Sequence, residues 1–163
     1  MPFAYYGRLS PRDKATYSRS DAVAEIRLPG ATLLHPLVAG LRLALERDDR
    51  VAVALACRHL VQGLTMMLEV PSVEVEVLAV RPTLRNGELH GLYTTNDGRP
   101  PRIRVWMRTV KQRRVVAFRT FLRTLLHELL HHLDYTHLKL PESFHTEGFF
   151  KRESSLFRQL VPE

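Results

Sequence analysis

Apolar residues recur every three to four positions over two long stretches in the first half of the chain, a spacing that predicts helices. The first covers 31–47, where Leu33, Leu37, Leu41 and Leu45 stand one turn apart and Pro36 comes early, where proline is tolerated. Asp48-Asp49-Arg50 reads as a turn, and 51–68 is a second, largely apolar helix whose His59 and Cys57 are expected in or beside the core. The period then drops to two. Val73-Glu74-Val75-Glu76-Val77 alternates as a half-buried strand does. Asn86-Gly87 marks a turn before a second strand over 88–95, and Asn96-Asp97-Gly98 another before a third over 102–108. In that third strand Ile103, Val105 and Met107 share one face, and Arg102, Arg104, Trp106 and Arg108 the other. Helical spacing returns from 112 to about 137, with an apolar stripe of Phe118, Leu122, Leu125, Leu126, Leu129 and Leu133. Pro141 falls in a loop, and 148–160 is a short last helix. Residues 1–20 are polar, basic and aperiodic and read as a poorly ordered arm, leaving 21–163 as a single domain. The element order is α+β: N-terminal helices, a small, mostly antiparallel sheet of about three strands, a long helix and a short C-terminal one.

Composition narrows the class. The chain has 163 residues, 45% of them hydrophobic, enough to bury a core, and no apolar run long enough to span a membrane. Its single cysteine excludes an internal disulfide or a cysteine-built zinc ribbon. No basic-then-apolar leader opens the sequence, so a cytoplasmic protein is expected. The net charge of +7 is local: 99–123 holds nine lysines or arginines and no acid, so the remainder is net −2. Such a window suits a polyanion or an acidic substrate, and equally a solvated arginine-rich surface.

The informative chemistry is His127-Glu128-Leu129-Leu130-His131, with five of the eight histidines falling between 127 and 145. At about 100° per residue, positions i and i+4 project together one turn apart, so His127 and His131 can bind one Zn²⁺. Glu128, rotated about 100° from His127, is too far round to ligate easily but is placed as a general base toward activated water. The histidine pair points away from the apolar stripe, and His132 sits at its edge as a structural residue. A catalytic zinc wants a third protein ligand. His145, 14 residues beyond His131, is the choice; Asp134, three residues after His131, and Glu147 are the rivals. Asp134 would have to bend back along the helix, which suits a hydrogen bond to a ligand better. His137 belongs near the helix end, facing the last carbonyls. Tyr135 is a candidate oxyanion donor, and Thr120 and Thr124, on the histidine face, are candidates to line a cleft.

With these residues the sequence resembles the zincin metallopeptidases, and among them the SprT-like group. His127-Glu128-Leu129-Leu130-His131 carries the resemblance together with His145-Thr146-Glu147-Gly148-Phe149, which is similar to that group's third-ligand signature, a His followed four residues later by an aromatic. The positions that hold Gly and often an acidic residue in that group are Thr146 and Gly148 here, so a related small bacterial branch is also compatible. The resemblance implies a zincin-like fold, a Zn²⁺ cofactor held by His127, His131 and His145, Glu128 as catalytic base, and a protein or peptide substrate laid along an edge strand, by analogy 102–108.

Two other readings compete with a peptidase. One is a nucleic-acid-binding protein with a structural or vestigial zinc, using Arg102, Arg104 and Arg108 on phosphates and Trp106 on a base. The intact Glu128 argues against it, because a structural site needs no general base. The other is a dedicated regulatory zincin acting on one protein partner.

Overall fold

The computed structural model describes residues 2–85, 87–96 and 98–162. Asn86 and Asp97, which belong to the two expected turns, lie outside the described residues. The architecture is α+β, with five helices around a small three-stranded sheet among the described residues.

The segment expected to be a loose arm is ordered: a 3-10 turn over Ala4–Arg8 leads into helix α1, Pro11–Asp21. Ser10 caps α1 by accepting the N–H of Asp13, with Pro11 at the first helical position. What α1 buries is Thr16, Tyr17 and Ser20 rather than an aliphatic stripe. Its anchors are polar or aromatic, so hydrophobic periodicity did not betray it.

Helices α2 (Ala31–Glu46) and α3 (Arg50–Met67) form the expected pair, with Asp49 capping α3 through the N–H of Ala52. The buried face of α2 is Leu34, Val38, Leu41 and Leu45; Leu33 is 75% exposed and Leu37 only partly buried. The leucine spacing in the sequence thus marks one border of the stripe rather than its centre.

The sheet is mixed, not mostly antiparallel. Strand β1 (Glu74–Val80) pairs in parallel with β5 (Arg102–Arg108), and β5 pairs antiparallel with β4 (Gly91–Thr94), giving the order β1-β5-β4. Between them β2 (Thr83–Leu84) and β3 (Gly87–Glu88) make a separate two-stranded ribbon. The 102–108 strand is therefore central, not an edge. Its arginines are neutralised in place: Arg102 lies 3.1 Å from Glu74, Arg104 lies 3.5 Å from Glu76, and Arg108 pairs with Asp48. Trp106 is 8% exposed, covered rather than presented for stacking.

The two true edges differ. On β1, Arg58 and Arg50 from α3 donate to the carbonyls of Val75 and Val77 at 3.2 and 3.4 Å, occupying the outer row of acceptors. On β4 no strand lies beyond among the described residues. The 90–106 hydrogen bond sets the phase of the ladder, so Gly91 and Tyr93 turn their backbone groups outward.

Helix α4 spans Phe118–Thr136 and buries Leu122, Leu125, Leu126, Leu129, Leu130 and Leu133 under the sheet and helices. It starts later than its sequence suggests. Residues 109–116 form a tight reversal in which Thr109 donates to Arg114 and Val116 to Met107, with Arg113 at φ 50°. Pairing with β5 there overrides the helix propensity of Lys111-Gln112-Arg113-Arg114. After α4 the chain turns back at Lys139 (φ 57°) and re-enters helix α5, Glu147–Leu160, whose cap is Thr146, accepting the N–H of Phe149 at 2.9 Å. No helix among the described residues is long and apolar enough to cross a membrane.

Helices α1 and α5 meet at a glycine. A methyl group on Gly148 would stand 2.6 Å from the carbonyl oxygens of both Ser20 and Asp21, closer than any real contact. Gly148→Ala is therefore expected to cost about 1–3 kcal/mol, seen as a lower urea midpoint at unchanged slope. An unchanged midpoint would mean that α1 does not pack there.

Candidate metal centre

His127 and His131 leave α4 one turn apart, and the loop before α5 brings His145 onto them. The Nε2 of His145 lies 3.1 Å from the Nε2 of His127 and 3.1 Å from that of His131. Among the described residues this trio is the set of His, Cys, Asp or Glu side chains whose ligand atoms could share one ion, all lying within 4.8 Å of one another. The rivals stand elsewhere. Asp134 is buried away from the trio, and Glu147 is exposed, 3.2 Å from Lys151.

For the two rings on α4, the outer partners fix which nitrogen faces inward. His127 Nδ1 lies 2.8 Å from Glu153 Oε1, so in the neutral ring the proton sits on Nδ1 and the lone pair on Nε2. His131 Nδ1 lies 2.7 Å from Ser143 Oγ, which itself donates to Asp134 Oδ2 at 2.7 Å. Its Nδ1 must then be the donor to Ser143, and its Nε2 is again a lone pair. Burial, together with the neighbouring His127 and His145, pushes His131 down to about 3, and burial also lowers His145. Both rings are thus neutral near pH 7, the form that ligates metals.

Converging lone pairs at this distance repel unless a cation sits among them. The two 3.1 Å separations are close to the ~3.3 Å edge of a tetrahedron built on Zn–N bonds of about 2.0–2.1 Å. The donor set, its tautomers and the carboxylates behind it all fit a divalent metal of the zinc class.

Glu128 is 8% exposed and lies in the cleft beside the trio. Burial raises its pKa; His127 and the outward N–H of Tyr93 pull it back, and Glu153 adds to the rise. The outer edge of β4 comes so close that a methyl group on Gly91 would sit 2.9 Å from Glu128 Cγ and 2.8 Å from Thr124 Cγ2. An isolated glycine in a strand marks such close approaches, so Gly91 is one site residue that the sequence could have revealed.

Two cavities flank this point and share Gly91, His127 and Glu128. One of about 560 Å³ runs past Leu92, Thr94, Asn96 and Tyr135; the other, of about 450 Å³, runs past His90, Thr120, Thr124 and Phe150. Together they make one groove along β4. Thr120 and Thr124 line it as expected. Tyr135 lines it too, stacked on Tyr93, with its hydroxyl donated to Glu142 at 2.8 Å. His132 stays behind the site. Its Nε2 reaches Pro71 O at 2.7 Å, and its Nδ1 accepts the Tyr93 hydroxyl at 3.0 Å, which pins the edge strand to α4. His137 is the C-terminal cap residue of α4, exposed to solvent.

Tyr93, Glu153, Ser143 and Arg152 escaped sequence reasoning. None carries a local pattern; each matters through a partner 9 to 39 residues away. Lys111, Arg113 and Arg114, in the basic window, lie exposed in the reversal after β5.

No protein-family model, curated protein or solved structure matches this chain.

Proposed function

We propose that the protein is a cytoplasmic zinc-dependent metallopeptidase with a zincin-like, SprT-like arrangement, cleaving a protein or peptide laid along β4. One observation carries this reading: three inward-facing imidazole nitrogens beside a buried, poised carboxylate, at an open sheet edge. A structural zinc site needs neither the carboxylate nor the groove.

His127, His131 and His145 would hold the metal. Zinc in such a site supplies Lewis acidity, polarising a carbonyl and lowering the pKa of water toward ~7. The outward backbone groups of Gly91 and the outward carbonyl of Tyr93 offer a substrate strand its hydrogen bonds, which aligns the scissile bond with the histidines. Glu128, its basicity raised by burial, takes the proton of the attacking water and returns it to the leaving amine. Glu153 and Ser143 keep the ligand rings from turning as charge builds. The single cysteine, Cys57, is buried and unpaired, in keeping with a reducing compartment.

The test is zinc content by mass spectrometry after purification without a metal-affinity resin, followed by hydrolysis of an unfolded protein substrate. The expected result is about one zinc per chain, lost in His145→Ala and kept in Glu147→Ala. Zinc kept without His145, or lost without Glu147, would reassign the third ligand. A chain that takes up no zinc even when it is supplied refutes the reading.

A further inference from the structure

His127 and His131 ride on a helix, whose own hydrogen bonds hold them. His145 has no such support, since it stands in the loop ahead of α5. The structure supplies its support from the opposite end of the chain. The Tyr5 hydroxyl donates to the main-chain carbonyl of His145 at 2.8 Å, across 140 residues of sequence. The Tyr5 ring packs edge-on against Tyr17 at 5.6 Å and, tilted, beside Phe144 at 6.5 Å, between α1 and the histidine loop.

The segment carrying Tyr5 is itself anchored. The Phe3 N–H donates to the Tyr17 hydroxyl at 2.9 Å, and the Phe3 ring meets Phe150 edge-on at 6.3 Å. Farther along α1, Ser20 Oγ lies 3.1 Å from Thr146 Oγ1, and Asp21 Oδ1 accepts the Gly148 N–H at 2.9 Å. The first 21 residues therefore hold His145 at its own carbonyl and hold the start of α5 directly after it.

We propose that Tyr5 is a positioning residue of the metal centre: its hydroxyl fixes the main chain of His145 so that the imidazole stays over His127 and His131. Retention of the metal then depends on the N-terminal segment. The inference rests on the metallopeptidase reading, since it presumes that the trio binds zinc. Without the bond the loop regains freedom that must be lost again at every binding event. Partners standing behind a metal ligand are commonly worth 10- to 100-fold in metal affinity.

The test is release of bound zinc from the full chain to excess chelator, followed with a colorimetric zinc indicator well below the unfolding temperature. Three proteins are compared: the unaltered chain, Tyr5→Phe, which keeps the ring and loses the hydroxyl, and Tyr6→Phe. Tyr6 is a neighbour that also packs edge-on against Tyr17, at 5.1 Å. Tyr5→Phe is expected to release zinc about tenfold faster or more, and Tyr6→Phe at the unaltered rate. Purely structural support would lower the unfolding midpoint while leaving release from the folded chain unchanged, and that result overturns the proposal. Equal acceleration in both variants also overturns it, because the hydroxyl to His145 would not be the cause. If Tyr5→Phe does not fold, Tyr5→Leu, which also lacks the hydroxyl, is compared with Tyr6→Leu and judged by the same two outcomes. An unaltered chain that binds no zinc defeats the underlying reading instead, so the two failures remain distinct.

Discussion

Glu128→Gln is expected to abolish peptide hydrolysis while leaving the zinc in place, a loss of about 10²–10⁴ in kcat. The substitution is nearly isosteric. It preserves the fit of the side chain against Gly91 and Thr124, where there is no spare room. It removes only the ability to take a proton. Because the histidine trio contains no atom of Glu128, metal content should match the parent. The pairing of an unchanged zinc stoichiometry with lost turnover separates a general base from a ligand. Turnover surviving in the variant would show that another group accepts the proton, and the proposed mechanism would fall. Zinc lost along with turnover would make Glu128 part of the metal site.

Much of this site was legible because helical periodicity and ligand spacing are local. His127, Glu128 and His131 lie within five residues, and their helix announces itself through its leucines. His145 was reachable by counting outward from them. The sheet was not, because strand neighbours are set by contacts between distant segments. The sequence of 102–108, with arginines alternating outward, has the look of a charged edge. The structure puts it at the centre, its charges matched by Glu74 and Glu76 on the parallel neighbour. Alternation shows which face is polar, but not whether a partner strand covers it. The strand that does form the cleft edge, β4, is four residues long and holds a glycine, which weakens its signal.

The two positions that depart from the SprT-like pattern have physical explanations in this chain. Thr146 caps α5 and meets Ser20, and Gly148 makes room for the carbonyls ending α1. Both adjust the segment after His145 to an N-terminal helix packed on it. Residues 1–20 looked like an arm because α1 is secured by hydrogen bonds and aromatic edges instead of leucines. The same absence of periodicity would describe a disordered tail, and only the distant partners distinguish the two.

The largest stability effect is expected at the buried pair that joins these elements. Arg152 and Asp134 are both 0% exposed and 3.1 Å apart. Burial alone would raise the acid and lower the base, and their attraction opposes both shifts. Arg152 also donates to the carbonyls of Ser20 and Val23 and to Ser20 Oγ, which binds α1 to α5. Asp134 in turn accepts from Ser143, the residue that orients His131. Arg152→Met leaves a buried carboxylate with one hydroxyl for company and strands three acceptors, two on Ser20 of α1 and one on Val23 just after it. The expected cost is about 3–5 kcal/mol, or roughly 6–20 °C in Tm for a chain of this size. Asp134→Asn should cost a comparable amount, for the mirror-image reason. The double variant should cost clearly less than the two together, because each single change leaves the other's charge uncompensated. Urea unfolding of the metal-free proteins measures all three. Strict additivity would mean that the two charges do not interact, and the link drawn here from α1 through Arg152 to His131 would be broken. Arg152→Lys is a sharper form of the same test. A single ammonium cannot span acceptors that the guanidinium fork reaches on two sides, so retaining the charge should not restore the stability.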